Sequence, residues 1–297
     1  MKNEGMKKIG VIGIAGGWST ERLLESVERE TGFRILIEMN RIRYDSETNA
    51  VYHGKQNLLE LDALIIKKLG SSGNPDHIQR LEILNHIRNA GVRIFSDPEN
   101  IIRCMDRLNC TLVLRQAGIP MPPTVLTEDI EEGKEAVRRF GRAVLKPLFS
   151  TKARGMIVLE GDDPYLMEKI RAFKNDGNQI LYIQKMVEIP GRDLGVAFLD
   201  GVYIGAYARV GKKDSWNTTT VNGGTYEPYD PGEDVIALAQ KAQSAFGLSF
   251  TCVDVAETPA GPIIFEVSAL GGFRGLWESR KLDVSGMIVN HVVRSLA

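Results

Sequence analysis

Residues 250–272 read FTCVDVAETPAGPIIFEVSALGG, two apolar runs separated by Thr258–Pro259–Ala260–Gly261, with one carboxylate inside each run. Both runs are rich in β-branched and aromatic residues, and the Thr–Pro–Ala–Gly cluster is turn chemistry, so the stretch predicts a β-hairpin. With the turn centred near Ala260, Asp254 and Glu266 lie opposite one another, and side-chain alternation puts Ser268 on the face of Glu266. Two like charges directly opposite destabilise a strand pair, so something must offset their repulsion. A divalent cation between them would do so, and Mg²⁺ suits such a site because it takes one or two carboxylates and completes its shell with water and phosphate oxygens. The residues alone leave two other accounts open: each acid meets its own Lys or Arg, or the register is one residue off.

The chain has 297 residues, enough for two domains or a tightly joined three-part body with real cores. A formal net charge of -1 argues against a nucleic-acid binder and against attraction to an anionic membrane. No apolar run approaches a membrane span, and the opening MKNEGMKK leads into a strand and not a secretory signal. Cys104, Cys110 and Cys252 are odd in number and form no CxxC pair, which predicts buried, reduced thiols and a cytoplasmic protein. His53, His77, His86 and His291 lack metal-ligand spacing, so zinc is not expected.

The first hundred residues alternate strand and helix. KKIGVIGI, FRILIEM, LDALIIKK and VRIFS read as strands, a helix begins near Thr20 with Ser19 as its cap, and another runs from Asp76 to Asn89. Such alternation predicts a parallel sheet covered on both faces. Gly10, Gly13 and Gly16 do not make G-x-G-x-x-G, and Glu38 is a poor ribose-binding acid, so a nicotinamide cofactor is disfavoured.

From about residue 104, one helix is expected through MDRLNCTLVLRQAG, ended by the extended IPMPPT, and a second over Ile130–Phe140. RAVLKPLFSTKARGMIVLE reads as strand, basic turn and strand, with Lys146 closing the first strand, and a helix begins at Asp163–Pro164. Then come the strand QILYIQKMV, a strand pair around Asp200–Gly201, a polar stretch Lys212–Gly224, a helix near Val235–Phe246, the acidic hairpin and a helix over Val284–Ser295. A lysine at a strand end commonly keeps its head in water. Here Lys146, Lys152, Arg154 and Arg209 accompany two acids able to hold magnesium, the combination a magnesium–triphosphate complex requires.

Seven segments in order, MDR…GIPMPPT, VLKPLFSTKARGM, YIQKMVEIPGRDLGV, AYAR, NGG, CVDV and FEVS, resemble the ATP-grasp superfamily, in particular its RimK-like branch of ribosomal S6 modification enzymes and cofactor glutamate ligases. The likeness runs from about Asp106 to the C-terminus, while GGWSTERL and DALIIKKLG are similar to the preceding domain; more narrowly, the chain resembles the ATP-grasp protein of the so-called GAK system. The resemblance implies an α/β fold in which a parallel-sheet domain (1–104) precedes two lobes that enclose ATP, a central one (105–185) of α+β type and a C-terminal one (186–297). Both lobes are expected to be α+β, and Lys146 is implied to contact the α- and β-phosphates. The turn Ser150–Gly155 would close over the phosphates through backbone N–H groups, with Lys152 or Arg154 helping. Gln184, Lys185, Met186 and Val187 would form the hinge, the backbone of Lys185 and Val187 reading the adenine edge. Asp193 would bind the ribose, Arg209 would lie over the transferring phosphate, and Asp254 and Glu266 would hold Mg²⁺.

Several positions depart from the family pattern. Arg107 stands where lysine is usual, Gly195 replaces an arginine, Ser268 replaces an asparagine that completes the metal set, and the phosphate turn has fewer glycines. The implied chemistry is a carboxylate–amine ligation through an acyl phosphate, with a small-molecule or peptide acid and an amine such as an amino acid as partners. Lys212–Gly224 is the candidate lid that excludes water, and Asn217 within it and Arg274 are candidate substrate contacts, a plain surface arginine being the alternative for the latter. Trp216 and Trp277 are read as packing residues. An ATP-binding partner protein without catalysis is the competing reading raised by Ser268, Gly195 and Arg107, and a homo-oligomer is compatible with the chain.

Overall fold

Ile9–Ile12 (β1) is buried along its whole length, which is why it reads as an unbroken apolar run. In this computed structural model, which describes residues 6–70, 76–150, 153–212, 216–219 and 223–297, β1 feeds the helix Trp18–Thr31 (α1) and the strand Leu36–Ile37 (β2). An antiparallel meander follows, Ile42–Asp45 (β3), Ala50–His53 (β4) and Gln56–Asn57 (β5), which the sequence reading had not separated from its surroundings because each strand is so short. Ala63–Ile66 (β6), His77–Asn89 (α2) and Arg93–Phe95 (β7) complete the unit. The order β2-β1-β6-β7 with every pair parallel is the sheet that the alternation predicts. Ser19 is not the cap: Gly17 holds that position in an extended conformation, and its carbonyl accepts the Thr20 and Glu21 N–H groups. FRILIEM contributes only two paired residues, since the chain turns at Met39–Arg41 into a 3₁₀ segment.

The helix expected through residues 105–118 is present from Arg107, and a shorter helix that the sequence does not announce precedes it. Pro98–Met105 (α3) and Arg107–Gln116 (α4) meet at Asp106, whose extended backbone stops one helix and whose carboxylate caps the next by accepting Leu108 N–H at 2.9 Å. Thr124–Thr127 (β8), Ile130–Phe140 (α5), Arg142–Lys146 (β9), Ile157–Glu160 (β10), Leu166–Asn175 (α6) and Leu181–Lys185 (β11) follow. The strands form an antiparallel sheet in the order β10-β9-β11-β8, and Ala136, Val137, Ile170 and Phe173 of α5 and α6 share a core with its Ala143, Leu145 and Ile183.

The remaining chain builds Arg192–Leu199 (β12), Val202–Val210 (β13), Thr225–Pro228 (β14), Glu233–Ser244 (α7), Phe250–Thr258 (β15), Gly261–Val267 (β16), Arg274–Arg280 (α8) and Val284–Ser295 (α9). The sheet order is β14-β13-β12-β15-β16, all antiparallel. Alternation sorts its two faces: Leu194, Val196 and Phe198 share a core with α7, while Ala197, Tyr207 and Cys252 pack with α8, α9 and the first sheet. The second face also carries, by the same parity and pairing, Asp193, Arg209 and Asp254. No helix among the described residues is long and apolar enough to cross a membrane.

Candidate active site

Thr258 and Gly261 pair around a two-residue turn, and Val255 faces Ile264 in the register this sets. Continued, that register would place Asp254 opposite Phe265. A β-bulge intervenes between Asp254 and Val255, Phe265 is the extra residue, and Asp254 faces Glu266 after all. The expected pairing is therefore present for a reason the turn alone does not supply. The bulge also presents Phe265 to the site, where Lys146 Nζ stands 5.6 Å from its ring centre.

Each acid also has its own arginine. Arg107 Nη1 lies 2.8 Å from Glu266 Oε2, and Arg209 Nη2 lies 2.9 Å from Asp254 Oδ1. This is the arrangement the sequence reading had left open beside the metal. Arg107 is buried at the start of α4; its Nε donates to Pro147 C=O at 3.1 Å and its Nη2 to Ser150 C=O at 3.3 Å, so it joins the turn after β9 to the acidic hairpin. Arg209 is shared between two strands. Its Nε donates to both oxygens of Asp193, at 3.2 and 3.0 Å, while Nη2 reaches Asp193 and Asp254 together. Thr218 Oγ1 donates to Asp193 Oδ1 as well, so Asp193 in this structure is a clamp on Arg209 rather than a free acceptor. Sequence reading missed Thr218, for which a hydroxyl in a run of threonines offers no signal.

Burial pushes Asp254 up to about 7, reinforced by Glu266 and Asp193 and opposed by Arg209. Its Oδ1 is buried without a hydrogen bond: the 2.9 Å approach of Arg209 is close in distance, but no N–H points along it. An orphaned carboxylate oxygen across from a second carboxylate fits a hard cation such as Mg²⁺. Among the described residues no group of three or more His, Cys, Asp and Glu side chains comes together. Ser268 follows on the same strand end, its carbonyl accepting Thr251 Oγ1 at 2.8 Å.

Lys146 ends β9 as expected and turns its amine inward. Nζ donates to Gln184 Oε1 at 2.5 Å, and Gln184 is fixed in turn by Thr124 and Tyr182. Burial brings Lys146 down to about 7, Arg107 adding to the shift while Glu266 and Asp254 oppose it. At the strand end Lys185 N–H donates to Pro123 C=O at 2.8 Å and Met186 N–H to Arg142 C=O at 2.9 Å, which ties the expected hinge to β9 and to the segment before β8. Gly155 is in the left-handed region at φ 68°, beside an exposed Arg154, whereas Lys152 lies outside the described residues. Of the expected lid, residues 213–215 and 220–222 also lie outside them; Asn217 Oδ1 accepts Thr219 N–H at 3.2 Å.

Arg274 opens α8 instead of a turn. It pairs with Glu278 at 2.5 Å and lies 5.8 Å from the Trp18 ring. Trp277 is stacked by Arg22 at 4.0 Å, as a packing residue would be, but Trp216 is among the exposed large apolar side chains. A second lysine was overlooked: Lys67, at the end of β6, is buried, donates to the carbonyls of Leu270 and Gly271 and sits 5.2 Å from the Phe273 ring. It carries the same signal as Lys146, a cation closing an apolar strand.

Residues 104–292 match the model of the RimK-like ATP-grasp domain. Over nearly their full lengths, the chain is 28% identical to a tetrahydromethanopterin:alpha-L-glutamate ligase of Methanosarcina acetivorans, with 97% of this chain and 99% of that one covered. It is 24% identical to a probable alpha-L-glutamate ligase of Halorhodospira halophila, covering 94% and 92%. Among solved structures, the fold matches the ATP-grasp ligase PsnB, complexed with a phosphomimetic variant of its minimal precursor, Mg and ADP, at a TM-score of 0.75 and 17% identity over 98% of this chain and 99% of that one. The D-cycloserine synthetase DcsG matches at 0.72 and 16% identity over 97% and 99%.

Proposed function

The chain belongs to the RimK-like ATP-grasp family, and from that premise we propose that it is an ATP-dependent carboxylate–amine ligase working through an acyl phosphate, with L-glutamate as the amine. The observation that carries this reading is the cross-strand pair Asp254–Glu266, one of its oxygens buried and unbonded, with Lys146, Arg107 and Arg209 gathered round it. The similarity to glutamate ligases over nearly the whole chain supports the choice of amine.

In the proposed reaction a substrate carboxylate oxygen attacks the γ-phosphorus of ATP. The bond from that phosphorus to the β,γ-bridging oxygen breaks and ADP leaves. The amine nitrogen then attacks the acyl carbon, the acyl C–O bond breaks, inorganic phosphate leaves and the nitrogen loses a proton. Asp254 and Glu266 would hold Mg²⁺, which supplies charge neutralisation on the phosphate oxygens. Lys146, whose Nζ donates to Gln184 Oε1 at 2.5 Å, would bind phosphate. Arg209, clamped by Asp193, would meet charge on the transferring group. The edge at Lys185–Val187 is assigned to adenine, Ser268 to a water-mediated metal contact, and residues 105–185 and 186–297 to the two lobes. Three free, buried thiols fit a reducing compartment, hence the cytoplasm.

Incubation with ATP, Mg²⁺, L-glutamate and pools of small carboxylic acids and peptides tests the proposal. One acid should gain the mass of glutamate less water with stoichiometric ADP and phosphate, and hydroxylamine should trap its hydroxamate. ATP turnover with no acid consumed, or AMP and pyrophosphate as products, would overturn it.

A further inference from the structure

Resting on the magnesium–ATP reading above, we propose that Arg107 and Arg209 are resident counter-ions of the two metal-binding carboxylates, and that each must be handed from carboxylate to phosphate before a cation can bind. Three carboxylates, Asp193 among them, and the cations Arg107, Arg209 and Lys146 cancel in charge at this site, with Arg107 Nη1 2.8 Å from Glu266 and Arg209 Nη2 shared between Asp193 and Asp254. A dication entering without compensation leaves the cluster doubly positive. A triphosphate arriving with the metal removes that excess and offers the arginines new oxygens. Metal and nucleotide are therefore coupled through protein side chains, beyond their affinity for each other in water.

The geometry equips both arginines for the exchange. Arg209 keeps two Nε contacts to Asp193, at 3.2 and 3.0 Å, that do not involve Asp254, so Nη2 can leave Asp254 while the guanidinium pivots on Asp193. Its approach to Asp254 is the misaligned one, leaving Oδ1 without a hydrogen bond. Arg107 is anchored by Pro147 and Ser150 carbonyls in the turn that follows Lys146, so release from Glu266 leaves it beside the expected phosphates.

Binding of Mn²⁺ to the chelator-stripped full chain, followed as metal retained with the protein in equilibrium dialysis at matched nucleotide on both sides, reads this. Without nucleotide, Arg209→Gln and Arg107→Gln should each bind Mn²⁺ about tenfold tighter than the parent, and Arg209→Lys and Arg107→Lys should not. A non-hydrolysable ATP analogue should tighten Mn²⁺ in the parent by a larger factor than in either Gln variant. Melting curves identify folded variants; the arginines serve different carboxylates, so either one decides the matter if the other variant fails to fold. Equal or weaker Mn²⁺ binding by the folded Gln variants, with the parent binding Mn²⁺ plus analogue normally, overturns the exchange alone. A parent that binds no Mn²⁺ even with the analogue overturns the magnesium–ATP reading beneath it, and the exchange with it.

Discussion

Asp254 and Glu266 are Cα partners across β15 and β16, yet their carboxylates answer to arginines from different parts of the chain, Arg209 on β13 and Arg107 on α4. Asp254→Asn and Glu266→Gln keep shape and remove charge. Each should lower ADP release with L-glutamate and the accepted acid by on the order of 10²–10³-fold, with the fold retained by circular dichroism. Near-parental turnover in either would remove the carboxylate pair from the reaction.

Gly195 faces Tyr207 across β12 and β13, and a Cβ there would lie 2.4 Å from Tyr207 Cζ. Gly275 meets the same ring from the other element, with its Cβ position 2.3 Å from Cε2. The glycine that departs from the family pattern is thus matched to a buried tyrosine. Gly195→Ala should cost about 1–3 kcal/mol by overpacking, read as a shifted urea midpoint. A Tyr207→Leu background should shrink that cost; an unchanged penalty would show that the ring is not the obstacle.

Thr218 gives Asp193 a hydroxyl donor beside Arg209. Thr218→Val keeps the shape and should lower kcat about tenfold, the effect of losing roughly 1.5 kcal/mol of a charge-assisted contact, while the KM for ATP and the melting temperature stay near parental values. Thr218→Ser should restore kcat. Equal losses in both variants would assign Thr218 to packing.

Burial brings Lys67 down to about 7, with Lys68 adding and Cys252 opposing. Between the folded value and the ordinary lysine value of 10.5 the unfolded chain holds more protons, so this group's contribution to stability rises with pH across that window and is lost as pH falls towards 7. Its slope is at most about 1.4 kcal/mol per pH unit. Urea titrations at pH 7 and pH 9 should show the gain in the parent and a smaller one in Lys67→Met. Identical slopes would mean Lys67 stays charged in the fold.

Much of the site was legible because strand-end cations and hairpin acids leave local marks. Lys146, Asp254 and Glu266 stand out against apolar neighbours, and the structure brings all three together. The partners of those residues left no mark. Nothing near Glu266 in sequence points to Arg107, which is 159 positions away, and the clamp of Asp193 on Arg209 spans two strands and a loop. Arg274 opens a helix and pairs with Glu278 one turn on.

Period and turn chemistry, properties of a few adjacent residues, determined the parallel first sheet, the β12–β13 hairpin at Asp200–Gly201 and the acidic hairpin. Packing between distant segments decided the rest: the bulge at Phe265, the break at Asp106, the burial of Lys67 against Leu270 and Gly271, and the ring seated on Gly195. Charge balance and steric fit at those places depend on which surfaces meet, and residues far apart in the chain carry no local pattern that announces their meeting.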